Sequence, residues 1–328
     1  MVLAGDIGGT KTNLAYYEQE GDRLIPVFMK SYPSQEYASL SEVLSLLQRE
    51  HPQKISTAAF GIAGPVVENT CRLTNVDWTV DGQELARDLG LSSVALLNDL
   101  VATAYGILRL SQGDIETLQA GRPQRHGTIG VIAAGTGLGM GALVWDGSRY
   151  LAVASEGGHA DFSARNDLEM DLVRHLRTTY GAVGVERIVA GPGLHHVYRF
   201  LRSHTAAEEP GWLSSAVQSG DPSAEIARAA LEGRDDTCAK ALDVFVSAYG
   251  AEAGNLALRF LATGGMYVAG GIAPKILPKI RSGLFLESFL SKDTYRPLLM
   301  SIPLHVVLND KTALLGAGHV AALMQSGR

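Results

Sequence analysis

Apolar residues open the chain as "MVLA" and resume after a glycine-rich interruption as "TNLAYYE", a pattern of strand, turn and strand rather than strand and helix. A third strand, "IPVFMKSYP", is expected beyond a Gly21-Asp22 turn. "ISTAAFGIAGPV" and "SVALLND" read as further strands, and "GQELARDLG" and "LVATAYGILRL" as helices. At Thr128 the opening plan returns: "TIGVIAAGTGLGMGALVWDG" is again strand, glycine turn and strand, and "GALVWDGSRYLAV" predicts two strands joined by Asp146-Gly147. From "RNDLEMDLVRHLRTTYG" to "AEAGNLALRFLA" the pattern is mostly helical, interrupted between "SHTAAEEPGW" and "SGDPSA" by loop composition, expected to be a connection within the second lobe. "GGMYVAGGIAP" predicts a strand with a glycine turn, "PLHVVLND" a last strand, and "KTALLGAGHVAALMQ" a helix able to pack back on the first lobe. The repeated plan implies two α/β lobes, each aiming a glycine turn at one shared ligand in a cleft between them.

The length, 328 residues, fits about two domains of the usual ~150 residues. Hydrophobic residues make up 46% and charged residues 19%, an ordinary globular balance, and the net charge of -6 with no Lys/Arg-rich block argues against a nucleic-acid surface. Small molecules are the expected partners. No signal-peptide pattern opens the chain and no run reaches the ~20 apolar residues of a membrane span, so no membrane association and a cytoplasmic location are expected. Cys71 and Cys238 are too few for a zinc site or disulfide framework and read as ordinary thiols.

"GDIGGTKT" misses the phosphate-loop pattern G-x-x-x-x-G-K-[ST] at Thr10, and no helix follows it. The alternatives are a hairpin whose Gly8-Gly9 turn, free to take positive φ, approaches a phosphate with Thr10 and Lys11 beside it, or a tight hairpin that binds nothing. Gly137-x-Gly139-x-x-Ala142 matches the dinucleotide fingerprint formally, but a strand follows where that motif needs a helix, so it is rejected. Asn98 and Asp99 end a strand just before a helix, at the sheet edge where open α/β folds bind ligands; Asp99 fits either a ligand-directed group or a helix cap. Glu156 and His159 in "SEGGHADF" flank two glycines and suit hydrogen bonding from a loop better than metal binding, an exposed loop being the other reading. Glu186 in "GVERIVAGPGL" carries little signal alone, because a glutamate near a helix start commonly serves the helix dipole.

Together "GDIGGT", "LLNDLVATAYG", "AAGTGLGMG", "SEGGHADF", "VERIVAGPGL" and "MYVAGGIAP", in this order, resemble the bacterial ATP-dependent glucokinases of the hexokinase, sugar-kinase and actin-like ATPase superfamily. The resemblance runs from Gly5 to the "LLGAG" near the end of the chain. It implies a two-lobed, ribonuclease H-like α/β fold with an interdomain active-site cleft, a small domain of residues 1–109 plus 307–328, and a large one of 110–306. It also implies ATP and Mg²⁺ as cofactors, glucose as the sugar, and a homodimer.

By that resemblance Asp99 is the base that takes the proton of the sugar 6-hydroxyl, and Asn98, Asp99, Glu156, His159 and Glu186 bind the sugar. Asp6 helps to hold Mg²⁺ through water. Gly8, Gly9, Thr10 and Lys11 form the first phosphate turn, Gly135, Thr136, Gly137 and on to Gly139 the second, and Gly270 and Gly271 lie by the adenosine. The Cys-x-Cys zinc cluster of a related branch is missing after the Gly-His motif, where "GHADFSARNDLEMD" stands, so no structural zinc is expected. Closure of the lobes on sugar is expected to protect ATP from water. A kinase for another hexose, a non-catalytic sugar sensor and an actin-like filament protein are the competing readings.

Overall fold

A computed structural model describes residues 1–21, 23–73, 76–205 and 208–326. The expected Gly21-Asp22 turn therefore falls partly outside the described residues, as do Ala206 and Ala207 of the expected loop. The chain divides into two compact units, Met1–Asp114 with Ala152–Ala154 and Asn309–Arg328, and Ile115–Leu151 with Ser155–Leu308.

In the first unit, β1 (Val2–Ile7), β2 (Lys11–Glu20), β3 (Arg23–Pro33) and β4 (Thr57–Ile62) join a five-stranded sheet. The strands β5 (Thr70–Arg72) and β6 (Thr79–Asp81) pair apart from it, and β7 (Val94–Asn98) completes it in the order β3-β2-β1-β4-β7. β1 runs antiparallel to β2 and parallel to β4, which is parallel to β7. An apolar sequence without alternation suits such central strands, because both faces are covered. The helix Thr312–Gln325 covers one face of β1, its Leu314, Ala317 and Ala321 packing with Val2, Ala4, Ala15, Tyr17 and Ala59. The opposite core gathers Leu3, Ile7, Phe60, Val43 and Leu47, the last two from the helix Leu40–Glu50.

A second sheet, which lies in the second unit except for Ala152–Ala154, holds β8 (Ile115–Gln119), β9 (Ile129–Ala134), β10 (Leu138–Trp145), β11 (Tyr150–Ser155), β12 (Gly265–Ala269) and β13 (Leu304–Val307), in the order β11-β10-β9-β12-β13-β8. β9 and β10 form the second glycine hairpin, antiparallel, while β12 runs parallel to β9 and β13. The 25-residue helix Asp236–Phe260 spans the core, where Phe245 and Tyr249 meet Ile132, Met266 and Val268. Asp146 accepts from the amides of Ser148 and Arg149 and Gly147 takes φ +106°, the turn expected between β10 and β11.

One expectation is overturned. The stretch read as a loop holds two helices, Gly211–Ser219 and Pro222–Leu231, and the helix before it runs on to Thr205. Pro210 stands in the cap position of the first, while Asp221 caps the second with Pro222 in its first turn. The Pro, Gly and Asp that suggested a loop therefore mark helix starts.

Candidate active site

Strand registry brings the first unit's candidates to one sheet edge. Asp6 lies opposite Gly61, which lies opposite Leu97, so Ile7, Ile62 and Asn98 end the parallel strands side by side. Ligands of open α/β sheets bind at this carboxyl end. A Cβ on Gly61 would fall 2.7 Å from the Ala102 Cβ, so the glycine lets the helix Asp99–Ile107 settle against the strand ends.

That helix is capped by Asn98. Its Oδ1 accepts from the amides of Leu100 and Val101, and its Nδ2 donates to the Gly64 carbonyl at 3.1 Å. Asp99 follows as the first helical residue, exposed, with Oδ1 accepting from the Leu100 amide at 2.8 Å. The capping position considered for Asp99 thus belongs to its neighbour.

In the first glycine turn the Gly8 amide donates to Lys11 O at 2.9 Å. Ser34 braces the turn from outside, its hydroxyl donating to Gly8 O at 2.7 Å and its amide to Thr10 O at 3.0 Å. A Cβ on Gly8 would sit 3.2 Å from Lys11 O, so absence of bulk is what that glycine supplies. Thr10 and Lys11 are exposed. Asp6 is half-buried and accepts from Asn13 Nδ2 at 3.2 Å. Its burial pushes the carboxyl up from the ordinary value, and the Asn13 hydrogen bond and the Lys311 charge only partly oppose this.

The second unit gathers Glu156, His159 and Glu186 on two short turns. Gly157–His159 and Val185–Arg187 are single 3-10 turns, and the chain beside them is stitched by Val185 N to Ala160 O and Phe162 N to Val183 O, both 2.9 Å. Glu156 and His159 are exposed; Glu186 is half-buried and accepts from the Leu138 amide through Oε2 at 2.8 Å. The adjacent glycines have a packing reason, since a Cβ on Gly158 would lie 2.2 Å from Leu138 O.

In the second glycine turn the Gly135 amide donates to Gly137 O at 2.9 Å, and the Gly191 amide to Gly135 O at 2.8 Å. β9 and β12 end together, which brings Gly270 beside this turn. Gly270 takes φ +85°, and a Cβ there would lie 2.3 Å from Ala134 O, so glycine is required on both counts. Gly135, Thr136 and Gly271 line a cavity of about 540 Å³ with Leu194, Phe245 and Ile272. His195, Ser223 and Lys275 add polar groups to its wall, and burial and the nearby Arg199 charge push the His195 imidazole down from its ordinary value.

Sequence reading missed these wall residues, and Asn13, Ser34 and Lys311 in the first unit. They lie on unrelated segments, and no spacing pattern announces them. Both cysteines are buried, and burial raises both thiols. Among the described residues no cluster of three His, Cys, Asp or Glu could hold a metal ion, and no helix is long and apolar enough to cross a membrane.

Two α/β units that each contain an antiparallel hairpin around a glycine turn define the actin-like ATPase fold in its sugar-kinase form. The glucokinase family model matches residues 3–324. A glucokinase from Nostoc sp. is 44% identical over 338 residues, covering 98% of this chain and 99% of its own. The solved glucokinase of an Antarctic psychrotroph superposes with a TM-score of 0.87 at 27% identity, over 98% of each chain. A Balamuthia mandrillaris glucokinase, determined in complex with glucose, has the same fold at a TM-score of 0.80 and 20% identity, over 98% of this chain and 93% of its own. The chain belongs to the glucokinase family.

Proposed function

We propose that the protein transfers the γ-phosphoryl group of ATP to the 6-hydroxyl of D-glucose. The observation that carries this reading is the full-length family match at 44% identity, joined to polar groups of the types that a sugar and a nucleotide require. Asp99 is assigned as the base that accepts the 6-hydroxyl proton as the sugar oxygen attacks. Asp99 is exposed at the start of the helix whose cap is Asn98, and its Oδ1 accepts from the Leu100 amide. Glu156, His159 and Glu186, with Asn98, are assigned to the other hydroxyls. Carboxylates accept from hydroxyls, and a neutral imidazole both donates and accepts. A site built from such pairs rejects a sugar with a missing or inverted hydroxyl, which confers narrow specificity.

The two glycine turns, with Thr10, Lys11 and Thr136, are assigned to the phosphates, and the cavity beside Gly135 and Gly271 to the adenosine. Its apolar wall suits a base, and His195, Ser223 and Lys275 suit the polar edge of a nucleoside. Asp6 fits Mg²⁺: it is an oxygen donor, and Mg²⁺ commonly takes one or two carboxylates and completes its shell with water and substrate phosphate. When bound, the ion neutralises charge on the transferring phosphoryl oxygens. Mg²⁺, a homodimer and a cytoplasmic place in glycolysis rest on the family alone.

The test is glucose 6-phosphate formation by purified protein with ATP and Mg²⁺, run beside a panel of mannose, fructose and N-acetylated hexosamines. Turnover confined to glucose is expected. Turnover on another sugar in its place reassigns the substrate, and binding of glucose without turnover moves the protein to the sensor class.

A further inference from the structure

Glu186 touches the second glycine turn as well as belonging to the sugar-binding group proposed above. Its Oε2 accepts from the Leu138 amide at 2.8 Å, and a Cβ added to Gly137 would stand 2.6 Å from that same oxygen. The turn's other side is tied to the same stretch of chain, through the Gly191 amide on Gly135 O at 2.8 Å. Leu138 also meets the second sugar turn, because its carbonyl lies where a Cβ on Gly158 would be. A carboxylate is thus built into the border of a turn whose assigned ligand is an anion. That is an unusual place for a negative charge if binding phosphate were the turn's only task.

We propose that Glu186 is a charge gate that couples the two substrates. Without sugar, the Glu186 carboxylate disfavours the nucleotide phosphates at the turn Gly135–Gly137 by like-charge repulsion. With sugar, hydroxyl donors on its second oxygen, Oε1, disperse that charge, and the nucleotide binds more tightly. Linkage then requires the nucleotide to tighten glucose by the same factor. The inference rests on Glu186 being a sugar ligand.

The Glu186→Gln variant isolates the charge, since a glutamine carbonyl keeps an acceptor for the Leu138 amide. The experiment measures the calorimetric Kd of AMPPNP with Mg²⁺, with and without saturating glucose, in the full-length protein, in Glu186→Gln and in Glu156→Gln. Glu156 makes no hydrogen bond to the turn among the described residues, so its variant is the control. In the parent protein, glucose is expected to tighten AMPPNP about fivefold or more, the usual lower range of coupled sites. Glu186→Gln is expected to bind AMPPNP more tightly than the parent without sugar, and the gain on adding glucose should shrink toward none. Glu156→Gln should bind glucose more weakly yet keep the parent's sugar-free AMPPNP affinity. An unchanged or weaker sugar-free affinity in Glu186→Gln would overturn the gate while leaving the kinase reading intact. A parent protein that binds no glucose would overturn both.

Discussion

Arg109 directs two guanidinium N–H groups at one atom, Nδ1 of the buried His319, from Nε at 2.9 Å and Nη2 at 2.8 Å. Arginine has no acceptor, so Nδ1 carries a lone pair and the imidazole is neutral. Burial, helped by the Arg109 charge, pushes this histidine down to about 4.

A pH dependence of stability follows. The folded state holds His319 far below the ordinary histidine value of about 6.5, so between the two values the unfolded chain binds the extra proton. The contribution is complete above the unfolded value and is lost as pH falls toward 4, with an upper limit of about 3 kcal/mol for a shift of this size. Denaturant midpoints at pH 7.5 and 5 should differ more in the parent than in His319→Gln, which has no titrating ring.

Gly316 should tolerate no side chain. A Cβ there would lie 1.8 Å from Ala102 O, and one on Gly106 would lie 2.0 Å from Thr312 O, so the helices Asp99–Ile107 and Thr312–Gln325 meet backbone to backbone. Neither obstacle is a movable side-chain tip. Gly316→Ala is expected to cost roughly 2–3 kcal/mol, the upper part of the usual overpacking range, and to lower the melting temperature. Gly90→Ala provides a contrast of a different kind, its cost arising from φ +65° with open space around it.

Asp99→Asn should lower kcat by about 10²- to 10⁴-fold, the usual worth of a positioned base, with the melting temperature little changed. The prediction separates chemistry from folding because Asn98 holds the helix cap. Equal turnover in variant and parent would remove Asp99 from the proposed mechanism.

Glu156→Gln should raise the KM for glucose roughly tenfold or more, the scale of one hydrogen bond to a charged group, with the KM for ATP little affected. Steady-state kinetics with each substrate varied in turn checks this. An unaltered glucose KM would place Glu156 outside the sugar site.

The hairpins were legible because strand and turn leave a short-range pattern: "VLAGDIGGTKTNLAYYE" shows two strand-like runs and the glycine break between them. The helix Thr312–Gln325 was legible too, in its apolar residues, and so was its docking on the first unit. The helix Gly211–Ser219 was not, because proline and glycine punctuate helix starts as readily as loops. Candidate side chains could be named from motifs, but their partners could not. Glu186 and Leu138 are far apart in sequence, and only the stitching of two turns brings the carboxylate to that amide. The same holds for Ser34 behind the first glycine turn, where a common residue has an uncommon position.

The placement of Thr312–Gln325 on β1 and β4 also governs the order in which this protein can form as it is synthesised. Val2, Ala4, Tyr17 and Ala59 leave the ribosome early, while Leu314, Ala317 and Ala321, which cover them, follow only after the second unit has been made. At elongation rates of up to about 20 residues per second, the delay is on the order of ten seconds or more. During that interval the face of the nascent sheet that the helix will cover is apolar and unprotected, the condition under which folding chains aggregate. The second unit waits as well, since its core takes in Ile302, Leu304 and Val306, and its strand β13 (Leu304–Val307) pairs with β8 and β12 only when it is made.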